Sequence, residues 1–169
     1  RNQSTSSRII EIKLMEQVSE SIVENLWWVI PGKLAGVRKP TAAELPELER
    51  VGIRAIVSVI HDESNLELYQ QENIPYLWLP IQIASSPSRS QIAELTNFVN
   101  EHHRQGVGIA VHCTGGLHRT GTMLAAYLIW NGLSYDEAMV TIQTANSQAV
   151  LELAQSVFLR SLATEDRSS

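Results

Sequence analysis

The part of the chain that decides its fold reads Val111-His112-Cys113-Thr114-Gly115-Gly116-Leu117-His118-Arg119-Thr120-Gly121. The apolar run Val107–Val111 predicts a strand before the loop, and Thr122–Trp130 predicts a helix after it. A glycine-containing loop between a strand and a helix favours a bound anion, because its N–H groups point inward and the positive end of the helix dipole adds to them. We therefore expect Cys113 and Arg119 to face one oxyanion.

The other patterns along the chain predict strands alternating with helices. The strands are expected at Leu26–Ile30, Leu34–Gly36, Ala55–Ile60 and Tyr76–Leu79. The helices are expected from the cap Thr41 to Arg50, at Leu66–Gln71, from Ser88 or Ser90 to about His103, after the cap Ser134, and at Gln148–Leu162. This order predicts an α/β fold with a central, largely parallel sheet flanked by helices.

Length and composition predict one domain with a buried core. The chain has 169 residues, of which 44% are hydrophobic and 18% charged, as in ordinary globular proteins. Its formal net charge of -5 argues against a nucleic acid or an anionic membrane as partner. The single cysteine excludes an internal disulfide and fits a reducing compartment. We expect a cytoplasmic monomer without a membrane span.

The two ends are expected to differ from this domain. Residues 1–24 predict a polar tail followed by an amphipathic helix, Arg8–Glu24, that packs on the domain or binds a partner. The domain itself is expected over residues 25–162, and residues 163–169 are expected to be a disordered tail.

The loop has the residue types that a thiol nucleophile needs. The helix N-terminus, the loop N–H groups, the charge of Arg119 and a hydrogen-bond network through His112 all favour the thiolate of Cys113. Arg119 can bind two oxygens of a phosphate at once. The hydroxyl of Thr120 can donate to the sulfur when it leaves.

This loop resembles the signature of the cysteine-dependent protein tyrosine and dual-specificity phosphatases, in which His-Cys, five residues, Arg and then Ser or Thr follow one another. The resemblance continues outside the loop. Trp28–Gly36 and Gly52–Ser58 are similar to the first strands of the small atypical dual-specificity phosphatases, and His112–Leu128 to their signature helix. The likeness covers about Asn25 to Arg160.

The resemblance implies the fold, the reaction and the roles of the loop residues. The fold is phosphatase-like, and Cys113 attacks phosphorus to form a phosphocysteine without a metal or another cofactor. His112 supports the thiolate, and Thr120 assists its departure. The phosphate oxygens are held by residues of the loop, namely Thr114, Gly115, Gly116, Leu117, His118 and Arg119. The implied substrate is a phosphorylated protein carrying phosphotyrosine, with phosphoserine and phosphothreonine as further substrates.

One residue departs from the family pattern. The family has an aspartate that protonates the leaving oxygen, and an ungapped alignment from Cys113 places Ile83 at that position. The surrounding loop, Leu79–Pro87, contains no Asp or Glu. The candidates for a replacement acid are Asp62 and Glu63, which follow a predicted strand at the edge where the site is expected. Working without a side-chain acid is the alternative.

Three other functions stay open. The first is a phosphatase for a small molecule or a lipid, which the absence of lysine between Cys113 and Arg119 disfavours. The second is a phosphoprotein-binding module with weak activity. The third is sulfur transfer or arsenate reduction, and the lack of a second cysteine speaks against arsenate reduction.

Overall fold

Five strands form one mixed sheet in the computed structural model, which describes residues 7–9, 20–115, 117–149, 151 and 153–165. The strands are β1 (Trp27–Ile30), β2 (Leu34–Val37), β3 (Ile53–Ser58), β4 (Tyr76–Trp78) and β5 (Gly108–His112). They lie in the order β1-β2-β5-β3-β4; β1 is antiparallel to β2, and the other neighbours are parallel. The predicted α/β fold with a largely parallel sheet is confirmed.

Helices flank this sheet. They are α1 (Ile22–Asn25), a 3₁₀ turn (Ala42–Glu44) that leads into α2 (Leu45–Arg50), α3 (Leu66–Gln71), α4 (Arg89–Arg104), α5 (His118–Trp130), α6 (Tyr135–Ala145) and α7 (Leu153–Ala163). The hydroxyl of Ser88 caps α4 by accepting from Gln91 N at 3.1 Å. Ser134 caps α6 in the same way, accepting from Glu137 N at 3.1 Å. The predicted caps Ser88 and Ser134 are confirmed, and Ser88 rather than Ser90 is the cap of α4.

The sheet is buried on both faces, and β5 contains no exposed residue. Because side chains alternate along a strand, Ile109 and Val111 pack on one face while Ala110 packs on the other. Buried side chains of α4, α5 and α6 cover the first face, and buried side chains of α2 together with Tyr69 of α3 cover the second. This double cover explains the nearly continuous apolar character of the central strands.

The elements whose boundaries differ most from the sequence predictions are β3, α5 and α7. β3 spans Ile53–Ser58, so it begins and ends two residues before the predicted strand Ala55–Ile60. The helix after the loop begins at His118, one turn before Thr122, because apolar periodicity does not detect a polar first turn. The last helix begins at Leu153 rather than at residue 148.

The two chain ends can be compared with the predictions only in part. α1 overlaps the C-terminal end of the predicted helix Arg8–Glu24, but a continuous helix over this range is wrong, because Ser21 has extended backbone and caps α1 as a separate helix. Residues 10–19 lie outside the described part. The predicted tail 163–169 is wrong at its start, because α7 includes Ala163 and the carboxylate of Glu165 pairs with Arg89. In the part of the chain that the structure describes, no helix is long and apolar enough to cross a membrane.

Candidate active site

Cys113 lies at the point where three parallel strands end together. Val37 of β2 and Ser58 of β3 both stand in register with His112, the last residue of β5. Cys113 follows directly and is 3% exposed. The carboxyl ends of these strands therefore form one edge, which is where open α/β sheets bind their ligands.

The helix α5 begins five residues after Cys113 and directs its N-terminus at this edge. The residue before it is Leu117, whose side chain cannot cap the helix, and no side-chain cap is present. Backbone N–H groups at an uncapped helix start are donors for an anion. Thr114 and Gly115 are exposed, Leu117 and His118 are half-buried, and Gly116 lies outside the described residues.

Arg119 occupies the first turn of α5 and is 8% exposed. Its Nη1 donates to the backbone oxygen of Ile81 at 3.3 Å and lies 3.2 Å from Nδ1 of His61. These two partners follow β4 and β3 respectively. The guanidinium is therefore held by the loops that follow β3 and β4, which fixes its position before any anion binds.

Thr120 is the next residue of α5 and is completely buried. Among the residues that the structure describes, its hydroxyl has no hydrogen-bond partner. An unpaired buried hydroxyl is unfavourable for folding by about 1–3 kcal/mol, so such a group calls for an explanation. A hydroxyl that can donate to the departing sulfur of Cys113 is consistent with the role that the family resemblance implies for Thr120.

His112 is part of a buried hydrogen-bond chain beneath the Cys113 loop. Its Nδ1 lies 3.1 Å from the backbone oxygen of Cys113, and its Nε2 lies 2.7 Å from the hydroxyl of Tyr69. Asn65 donates from Nδ2 to the same hydroxyl at 3.1 Å and to the oxygen of Pro40 at 2.8 Å. The chain thus connects α3 and its preceding turn to the backbone of the candidate nucleophile.

The protonation state of this chain follows from its partners. A carbonyl oxygen only accepts, so Nδ1 of His112 carries a proton, and Tyr69 donates to Nε2. Burial lowers the pKa of His112 to about 4, so the ring is neutral at neutral pH. Burial raises the pKa of Tyr69, which keeps the phenol protonated and able to donate. Here His112 holds the backbone of the loop as a neutral donor and not as a cation.

The two acid candidates from the sequence are exposed residues after β3. The carboxylate of Asp62 accepts from the hydroxyl of Ser64 and from its backbone N–H, and these bonds lower the pKa of Asp62. That direction favours the ionised form, which cannot donate a proton. Glu63 accepts from Leu66 N through its backbone oxygen. Ile83, at the family's aspartate position, is 72% exposed.

The sequence interpretation did not identify three residues that the structure places at this edge. These are Tyr69, Asn65 and His61, which reach His112 or Arg119 from distant positions in the chain. For His61, its position just beyond a predicted strand was an available signal. For Tyr69 there was none, since 43 residues separate it from His112. Among the described residues, no group of three or more metal-ligating side chains is arranged to hold a metal ion.

The comparison with known families agrees with this geometry. The family model described as "Polymorphic toxin system, DSP-PTPase phosphatase" matches residues 32–133, which include β2 to α5. The chain belongs to this DSP-PTPase family. The matched region contains the Cys113 loop, the two loops that hold Arg119, and Tyr69.

Individual relatives carry phosphatase names. Tyrosine-protein phosphatase yvh1 of Schizosaccharomyces pombe is 32% identical over 109 residues, covering 63% of this chain and 32% of its own. Dual specificity protein phosphatase 22 of Mus musculus is 30% identical over 125 residues, covering 72% of this chain and 64% of its own. The chain thus spans less than two thirds of the length of either relative.

Solved structures of other proteins have a similar fold. The crystal structure of Tk-PTP in its active form superimposes with a TM-score of 0.74 at 29% identity, covering 84% of this chain and 98% of that one. Human DUSP28 superimposes with a TM-score of 0.69 at 20% identity, covering 82% and 93%. At that identity the likeness to DUSP28 is one of fold alone.

Proposed function

We propose that this protein is a cysteine-dependent phosphatase that hydrolyses phosphotyrosine in proteins, and phosphoserine and phosphothreonine more slowly. One observation carries the proposal. Cys113 is buried at the end of β5, and Arg119 is held in the first turn of the uncapped helix α5 by two neighbouring loops. A thiol, a bidentate cation and the backbone N–H donors of a helix start can together bind and attack a phosphate.

In the first step, the sulfur of Cys113 attacks phosphorus, the P–O bond to the substrate breaks, and a phosphocysteine forms. Arg119 and the N–H groups of residues 114–119, with Gly116 among them as the sequence predicts, hold the three equatorial oxygens. In the second step, water attacks phosphorus, the S–P bond breaks, and inorganic phosphate leaves. Thr120 donates to the departing sulfur. Neither step uses a metal or an organic cofactor.

Protein substrates are favoured over polyanionic lipids for a reason of charge. The segment Thr114–His118 carries no lysine that would bind additional phosphates. The phosphatase names of the relatives support a phosphoprotein substrate. A thiolate nucleophile stays reduced in a reducing compartment, which supports a cytoplasmic location. The two reaction steps need the residues of one chain only, which supports a monomer.

The test compares the wild type with Cys113→Ser and Arg119→Lys on an aryl phosphate and a phosphotyrosyl peptide. We expect Cys113→Ser to reduce turnover to background and to retain the peptide in a pull-down. Arg119→Lys keeps the charge but loses the bidentate geometry, so kcat/KM should fall by about 10²-fold or more. Arg50→Lys, at the exposed end of α2, is the matched control and should leave kcat/KM unchanged.

Three results would contradict the proposal. Equal activity of the wild type and Cys113→Ser would exclude Cys113 as the nucleophile. Faster turnover of a soluble inositol phosphate than of the phosphotyrosyl peptide would move the substrate class to lipids or small molecules. Peptide binding without turnover by the wild type would indicate a phosphoprotein-binding module.

A further inference from the structure

Breaking the P–O bond of an alkyl phosphate requires a proton on the leaving oxygen, and the usual donor is absent from this chain. The loop Leu79–Pro87 has no carboxyl group, and Ile83 stands where the family has its aspartate. Asp62 is held in its ionised form by Ser64. General acid catalysis is typically worth about 10²–10⁴ in rate, so its donor is worth locating.

His61 lies beside the group that would hold the phosphate. Its Nδ1 is 3.2 Å from Nη1 of Arg119, and its side chain is exposed at the mouth of the site. The same Nη1 donates to Ile81, two residues before Ile83. His61 and the loop that carries the acid in the family therefore both contact the guanidinium of Arg119. A phosphate bound by Arg119 would lie close to both.

We propose that His61 is the proton donor to the leaving group, in place of the missing aspartate. This inference rests on the phosphatase function proposed above. As the Cys113 sulfur bonds to phosphorus and the P–O bond breaks, the His61 imidazolium gives its proton to the departing oxygen, which leaves as an alcohol or phenol. Neutral His61 then takes a proton from the water that attacks the phosphocysteine, and the imidazolium is restored when phosphate leaves.

The charges around His61 are compatible with this cycle. Nδ1 faces the guanidinium of Arg119 at hydrogen-bond distance, which leaves Nε2 as the ring nitrogen that can carry a proton to the leaving oxygen. Asp62 is the neighbouring anion, and the charges of His61 and Lys39 both contribute to lowering its pKa, after its hydrogen bonds to Ser64. A bound phosphate dianion engages Arg119 and stabilises the imidazolium. Histidine is the side-chain type that changes charge near neutral pH, which suits it to proton transfer there.

The test measures how the rate depends on the leaving group. His61→Asn retains an oxygen that can accept from Arg119 but removes the proton donor. We expect kcat/KM to fall by about 10²-fold or more for alkyl phosphates and less than about tenfold for nitrophenyl phosphate, whose leaving group needs little protonation. His103→Asn, an exposed histidine of α4, is the matched control and should match the wild type on both substrates.

A second variant separates proton donation from positioning. Ile83→Asp restores a carboxyl group at the family's acid position, so it should recover most of the alkyl-phosphate rate in the His61→Asn background. A positioning defect at Arg119 would instead lower kcat/KM equally for all leaving groups, and the carboxyl group would not rescue it.

The outcomes are distinct. A selective loss that Ile83→Asp rescues supports His61 as the donor. An equal loss on both substrates, no loss at all, or a selective loss in Asp62→Asn or Glu63→Gln instead would overturn it. Wild-type protein without aryl phosphatase activity would refute the proposed function itself, which is a different result from a failure of His61.

Discussion

The buried contact between Tyr69 and His112 gives the most quantitative prediction. Tyr69 is completely buried, and its hydroxyl lies 2.7 Å from Nε2 of His112. In Tyr69→Phe the ring remains, so packing changes by one hydroxyl, but Nε2 loses its donor in a site that water does not reach. Leaving a buried acceptor unpaired costs about 1–3 kcal/mol.

The expected change can be measured as thermal or urea unfolding. A loss of about 2 kcal/mol in the free energy of unfolding, the middle of that range, lowers Tm by about 4–8 °C in a domain of this size. Because His112 also holds the backbone oxygen of Cys113, we expect kcat on an aryl phosphate to fall as well. The two readouts come from one contact, so they should change together.

The chain offers a matched control for this substitution. The hydroxyl of Tyr76 accepts from Gln70 Nε2 at 2.7 Å in an exposed position, where water can replace the partner. Tyr76→Phe should therefore change the free energy of unfolding by less than about 0.5 kcal/mol. If Tyr69→Phe is no less stable than Tyr76→Phe, then the buried chain does not stabilise the site, and the reasoning is refuted.

Three further substitutions test other parts of the structure. Thr120→Val removes an unpaired buried hydroxyl, so the free energy of unfolding in urea should stay unchanged or rise by about 1 kcal/mol. Because the departing sulfur then has no hydroxyl donor, stopped-flow assays on an aryl phosphate should show a burst of phenol followed by slow phosphocysteine hydrolysis. Glu44 has its pKa lowered to about 2 by Arg38; its stabilisation is present above the ordinary pKa of 4.5 and is lost as the pH falls towards 2. Glu44→Gln should therefore lower the urea midpoint at pH 7 and flatten its decline between pH 4.5 and 2. In Gly36→Ala the new Cβ would lie 2.3 Å from Cε2 of Trp27, so calorimetry should show a loss of about 1–3 kcal/mol, and an unchanged Tm would contradict the packing.

Local signals predicted the elements and the centre of the site. The helix Leu66–Gln71 and the caps Ser88 and Ser134 follow from residue type and spacing, because capping is a contact between residues three apart. Cys113, Arg119 and Thr120 lie within eight consecutive residues between a strand and a helix, so a short window of sequence was enough to predict them as one candidate site. Helix starts were less predictable, because the polar first turn of α5 contributes nothing to an apolar pattern.

The sequence by itself determined the α/β fold and predicted the thiol and arginine of the candidate site, because both depend on patterns within short windows of the chain. Only the tertiary structure decided what supports and completes them. The parallel register of β3 and β5 brings His61 to Arg119, and the packing of α3 brings Tyr69 to His112. These contacts join residues 58 and 43 positions apart. Such pairs arise from the geometry of the whole sheet, and no local pattern of residues encodes them.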